Sequence, residues 1–244
     1  MIGTPKQTVE KFANSVTLRP GLSEEEVVRF QKELPGTLPS EIKELLIYSA
    51  GFDVASSQLL KSGRMSDTTR VLFTGGGDVG LSVLPCPVAL FGDGCGNFWV
   101  VDVSPSGAWG AILFVCHDPP VIAIQAADLT CFLSQVLNPG GSDSRNTLDY
   151  VRNTATTRIW KDDPWVVSVQ DARLLRDAVV SKFAEQLPEN FCVADLRSME
   201  VGRGFSWGKA GPNTDIRRNG SELLFGVEQK APSFLKRVLR RSTG

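Results

Sequence analysis

The spacing of apolar positions in the first 140 residues changes character near Gly51. Before that glycine it follows the helical period, and after it short apolar runs recur at close intervals. Leu22-Ser23-Glu24-Glu25-Glu26-Val27 carries a helix start. Ser23 is placed to accept from the Glu26 amide while the Glu26 side chain reaches back to the Ser23 amide, and Leu22 and Val27 are placed to close a hydrophobic staple. Three glutamates in the first turn suit the positive end of the helix dipole. The helix is predicted through Val28, Phe30 and Gln31, with a stop near Pro35-Gly36. A second helix begins around Leu38-Pro39-Ser40, where a proline sacrifices no hydrogen bond. Ile42, Leu45, Leu46 and Ser49 share one of its faces, and Gly51 is expected to end it as a C-terminal cap. An earlier helix is expected over residues 5–16.

Beyond Gly51, β-branched and aromatic residues cluster at 70–73, 88–91, 98–103, 111–116 and 121–124. No helical stretch separates these runs, which predicts antiparallel pairing. Gly92-Asp93-Gly94-Cys95-Gly96-Asn97 and Ser104-Pro105-Ser106-Gly107 read as turns between them. Asp128 then caps a closing helix over 129–137, with Phe132, Leu133, Val136 and Leu137 inward. Helices, an antiparallel sheet and a closing helix make an α+β arrangement.

The Pro-, Gly- and Ser-rich stretch from Asn138 to Ser144 reads as a linker. The expected division is 1–138 and 145–244, the second part a smaller α+β domain. In it, Ser168 or Asp171 caps a helix over 172–187 with Leu174, Leu175, Ala178, Val179 and Leu187 as its apolar stripe, Phe183 beside it and Pro188 at its end. Residues 191–194 read as a strand. Asn219-Gly220-Ser221 joins the arms 215–218 and 222–227 of a hairpin. Residues 232–241 read as a C-terminal helix with Phe234, Leu235, Val238 and Leu239 on one face and Lys236, Arg237, Arg240 and Arg241 near its end.

Charge separates the halves. Residues 1–140 hold 9 Lys+Arg and 14 Asp+Glu, net −5, and residues 141–244 hold 17 and 13, net +4. The simplest reading packs an acidic piece on a basic piece. The whole chain, 244 residues at net −1, has no field that would recruit nucleic acid or a membrane, and its basic residues are not interleaved with aromatics. No apolar run approaches the ~18 residues of a membrane span. MIGTPKQTVEKF lacks the pattern of a secretory signal, and five cysteines without CxxC spacing fit a reducing cytoplasm.

Catalytic motifs are weak. His117 is the single histidine, which lowers the expectation of acid–base or metal chemistry. Gly75-Gly76-Gly77-Asp78-Val79-Gly80 matches a dinucleotide fingerprint, but Pro85-Cys86-Pro87 follows where a helix is needed. Gly204-Phe205-Ser206-Trp207-Gly208 matches a nucleophile elbow, but no histidine lies downstream and Lys209-Ala210-Gly211-Pro212 starts no helix. Cys116 and His117, adjacent in a strand, point to opposite faces. No cofactor and no metal is expected.

Three stretches resemble the SUKH superfamily, which holds bacterial toxin-immunity proteins and Smi–Knr-type cell-wall regulators. They are Leu22 to Phe52, LSEEEVVRFQKELPGTLPSEIKELLIYSAGF; Leu90 to Ser104, LFGDGCGNFWVVDVS; and AILFVCHD with IQAADLTCFLSQVL. The resemblance spans about residues 20–140, and residues 53–87 depart from its pattern. It implies a non-enzymatic module that acts by protein contact, most directly an immunity protein that occludes a toxin. The alternatives are a regulator of an endogenous protein, or an enzyme whose site lies in the second half around Asp195, Arg203, Ser206 and Arg217. The expected partner surface comprises Asp93, Asn97, Trp99, Trp109 and Asp118, aromatic anchors with a charged rim. Net −5 suits a basic toxin domain as partner.

Overall fold

The computed structural model describes residues 3–34, 36–55, 59, 68–72, 75–76, 83–138, 147–211 and 213–229. The expected helix over 232–241, the linker core 139–144 and Gly77 to Gly80 of the glycine run lie outside these residues.

The first helix, α1 (Pro5–Lys11), is shorter than the expected 5–16 and passes into a 3₁₀ turn (Ala13–Ser15). In α2 (Glu24–Lys32) both halves of the capping box form: the Glu26 amide donates to Ser23 Oγ at 3.3 Å and the Ser23 amide to Glu26 Oε2 at 2.8 Å. The third helix, α3 (Ser40–Tyr48), buries Ile42, Leu45 and Leu46. Its C-cap is Ser49 rather than Gly51. Ser49 turns extended, and its hydroxyl donates to the Arg19 carbonyl at 3.0 Å. Gly51 serves the next element, because at φ 128° a Cβ there would stand 2.5 Å from the Val71 carbonyl. The closing helix, α4 (Leu129–Leu137), is capped as expected by Asp128, whose Oδ1 accepts from the Cys131 amide at 2.7 Å.

Short strands β1 (Thr17–Leu18), β2 (Phe52–Ala55) and β3 (Thr68–Val71) form an antiparallel sheet in that order. The other strands are β4 (Gly75–Gly76), β5 (Cys86–Gly92), β6 (Phe98–Val103), β7 (Trp109–His117), β8 (Pro120–Ala126), β9 (Val166–Ser168), β10 (Phe191–Asp195), β11 (Gly204–Ser206), β12 (Ile216–Arg218) and β13 (Leu224–Glu228). The main sheet runs β11-β8-β7-β6-β5-β4, and a four-stranded sheet runs β12-β13-β10-β9. All pairings are antiparallel. Strand β11, from the second half of the chain, therefore extends a sheet whose other strands come from the first.

The main sheet is apolar on both faces. Along β7, Ile112, Phe114 and Cys116 join the core made with α1–α4, while Ala111, Leu113 and Val115 join a second core. That second core is closed by Ala194, Leu196, Phe205, Leu223, Phe225 and Val227. The period-2 alternation of a strand thus carries two apolar sets, and the runs AILFVC and VIAI are continuous because both sides are buried. The first core also takes in the second half: Leu148, Val151 and Ile159 belong to it, from the π turn (Tyr150–Ala155) and α5 (Thr156–Asp162) that follow the seam.

The single helix expected over 172–187 is two: α6 (Val169–Arg173) and α7 (Ala178–Glu185). Ser168 caps the first, and Asp177 Oδ1 accepts from the Val179 and Val180 amides at 2.9 and 3.2 Å to start the second. The side-chain cap competes with a continuing helix and wins. The predicted stripe fails accordingly: Leu174, Leu175, Ala178 and Val179 face solvent, while Val180, Phe183, Ala184 and Leu187 face inward. At the hairpin, only Gly220 takes a positive φ, 56°, and the strands join through the wider loop 219–223 rather than a two-residue Asn-Gly turn.

Candidate functional site

The β5–β6 turn is organised by Asp93. Its Oδ1 accepts from the Cys95 amide at 2.9 Å and the Asn97 amide at 3.3 Å, and its Oδ2 accepts from Asn97 Nδ2 at 2.8 Å and Arg152 Nε at 2.9 Å. The Asp93 side chain has no exposed surface. Burial alone would push its carboxyl up, but the hydrogen bonds from Asn97, the Cys95 amide and Arg152 outweigh that and hold it below the usual carboxylate range. Asn97 passes the network on: its Oδ1 accepts from the His117 amide at 3.1 Å and lies 3.2 Å from His117 Nδ1. Gly96, at φ 85°, lies against the His117 ring, where a Cβ would come within 3.0 Å. The turns before β6 and after β7 are thereby tied side by side, with Gly94, Cys95, Gly96, His117 and Asp118 exposed.

Because Asp93 is ionised when folded at a pH where the free carboxyl would be protonated, its stabilisation is complete above the ordinary carboxylate pKa. It is lost as pH falls through the lower, folded value. The Asp93→Asn variant is expected to lose about 2–3 kcal/mol at neutral pH. Its stability below about pH 4 should also fall less steeply with acid than the parent's. Urea unfolding at neutral and acidic pH checks both, and parallel pH curves would reject the assignment.

The five expected partner residues are not one surface. Asp93, Asn97 and Asp118 stand together at one end of β6 and β7. Trp109, half-buried against the first core, begins β7 at the other end, about 26 Å away at ~3.3 Å per residue. Trp99 is fully enclosed and offers a partner nothing to touch. It stacks on Phe91 at 4.4 Å, meets Phe114 at 4.6 Å and donates from Nε1 to Gln125 Oε1 at 2.9 Å. That hydrogen bond satisfies the one polar atom a buried indole carries.

The chemical motifs are occupied by structure. Ser206 is buried in β11. Its hydroxyl donates to Asp163 Oδ2, its amide donates to Oδ1 at 2.9 Å, and Lys209 Nζ meets the same carboxylate at 3.0 Å. Cys116 faces the core and His117 solvent. Burial pushes the Cys116, Cys131 and Cys192 thiols up, away from the nucleophilic thiolate. The candidate cluster in the second half does not converge. Asp195 pairs with Arg197 and Arg217 with Asp215 at 2.7 and 2.8 Å, while Arg203 Nη1 reaches Ser198 Oγ at 3.4 Å. A cleft of about 230 Å³ along the seam, lined by Asp102, Ala108, Met199 and Leu223 among others, is smaller than the ~300–1,000 Å³ that encloses small ligands. Among the described residues no group of three or more His, Cys, Asp or Glu is placed to hold a metal, and no helix is long and apolar enough to cross a membrane.

Residues 21–135 match the family model described as SMI1 / KNR4 family (SUKH-1). That stretch is a SUKH superfamily segment. No curated protein and no solved structure matches the chain. The SUKH segment ends just before the seam, yet the cation that clamps its β5–β6 turn, Arg152, lies beyond it, as does Arg218, which pairs with Asp102 at 2.7 Å. Arg152 and Arg218 were not legible as site residues. The one local signal was Asp102 itself, an anion within the apolar strand FWVVDV, which calls for a cation from elsewhere. SUKH proteins are generally non-catalytic, in keeping with side chains committed to caps, turns and ion pairs.

Proposed function

We propose that this chain is a non-enzymatic protein-binding protein of the immunity type, working in the cytoplasm by covering a basic toxin domain. The observation that carries the reading is the SUKH-1 match over residues 21–135. The pair of turns at one end of the main sheet supports it. Held by Arg152, Asp93 and Asn97, this lip is ordered before any partner arrives, which lowers the entropy cost of docking. In this reading Asp118 is the contact residue, Asp93 and Asn97 shape the lip, Trp99 supports it from within, and Trp109 belongs to a separate surface. The net charge of −5 over residues 1–140 favours encounter with a cationic surface.

The test is co-expression with toxin domains encoded beside this gene. Growth should be rescued, and the purified pair should co-elute at low salt and separate progressively toward about 0.5 M salt. Asp118→Lys should slow association roughly tenfold with little change in stability. Co-elution with no effect of salt or of Asp118→Lys would remove the electrostatic lip from the account. No complex with any neighbouring toxin would favour the second reading, a Smi–Knr-type regulator of an endogenous protein, which the matched family's description supports.

A further inference from the structure

The break between α6 and α7 leaves Leu174 83%, Leu175 46% and Val179 43% exposed, three large apolar side chains within six residues. Such a patch measures a few hundred Å², against about 800 Å² per partner in a standard protein–protein interface. It is too small to hold a second copy by itself and the right size for one face of a short helix. The chain contains such a helix in its sequence: Phe234, Leu235, Val238 and Leu239 fall on one side of residues 232–241, with cations on the other. We propose that this C-terminal segment is the occupant of the patch, lying across α6 and α7 antiparallel to α7.

The point where the described chain ends supports this. Strand β13 leaves its sheet beside Phe191, and the Gln229 amide donates to the Asn190 carbonyl at 2.8 Å. The patch lies toward the opposite end of β10, since Asp177, which starts α7, is bridged by Arg197 to Asp195. Five residues of strand separate these ends by about 13 Å. Ten residues of helix cover about 15 Å. A segment that turns back at Lys230 and Ala231 therefore brings Val238 and Leu239 onto Leu174 and Val179. Its last arginines, Arg240 and Arg241, then fall beside Asp171 and Asp177, the anions at the starts of α6 and α7.

A photo-activatable phenylalanine analogue at Leu174, in the full chain, tests the placement. Expected is a cross-link within one molecule to the peptide that holds Val238 and Leu239. A cross-link to a second copy, to a different protein or to another part of the chain overturns the proposal, as does none. Hydrogen exchange supplies an independent reading that needs no substitution at the patch. Amides of residues 174–180 should exchange at least tenfold faster in a chain ending at Gln229 than in the full chain, and equal rates overturn the proposal.

Discussion

Cut after Asn138, the chain is expected to elute from gel filtration as aggregate rather than as a monomer. Nearly all of the SUKH match, 21–135, is retained in such a fragment, so the expectation rests on what the fragment loses. Val100, Leu113, Val115, Ile122 and Ile124 are all at most 4% exposed, and their cover comes from Ala194, Leu196, Phe205, Phe225 and Val227. Exposing five such side chains at roughly 2 kcal/mol each removes about 10 kcal/mol. That matches the whole margin of an ordinary domain, about 5–15 kcal/mol. The cut also strips Leu148, Val151 and Ile159 from the first core and turns β8 into a long, flat, apolar edge. A soluble 1–138 fragment with the parent's near-ultraviolet circular dichroism would mean that the second face tolerates water, and would sink this account.

That cover was legible in principle. A strand with one wet face alternates, whereas AILFVC and VIAI do not, so the first half announced two buried faces with helices enough for one. Helix caps were readable because their signal is local: Ser23 with Glu26, and Asp128 with Cys131. The same kind of signal at Asp177 was outweighed by the apolar Leu174 and Leu175, which fit a continuous helical stripe and are instead exposed. Asp93 and Asn97 were legible as turn residues, because short polar side chains between glycines bond to nearby backbone. Their clamp was not, because Arg152 stands 59 residues away and sequence spacing carries no trace of it. The two tryptophans show the same limit. Trp99 lies inside the six-residue β6 and Trp109 begins β7, and only the covering layers decide which is enclosed.

Removing either partner of the Asp102–Arg218 pair is expected to cost about 3–5 kcal/mol. Both side chains are 6% exposed. The pair is bidentate, Nη1 to Oδ1 and Nη2 to Oδ2, each at 2.7 Å. The remaining donors of the guanidinium are also used: Nε meets the Glu222 carbonyl at 2.9 Å, Nη2 the Ser221 carbonyl at 3.0 Å and Nη1 the Val83 carbonyl at 3.3 Å. Five donors in a planar fork meet five oxygens, an arrangement lysine cannot copy. Arg218→Lys should therefore be destabilising as well, although the charge survives. The cost of a single removal comes mainly from the ion left behind, since an unpaired charge at this depth has neither water nor a counter-ion. Hence Asp102→Ala combined with Arg218→Met should be clearly less damaging than the two single losses added together. A coupling of about 2 kcal/mol or more in urea unfolding, with unchanged m-values, is expected. Additive losses would show that the contact between the acidic and basic halves is carried by packing, with the ion pair incidental to it.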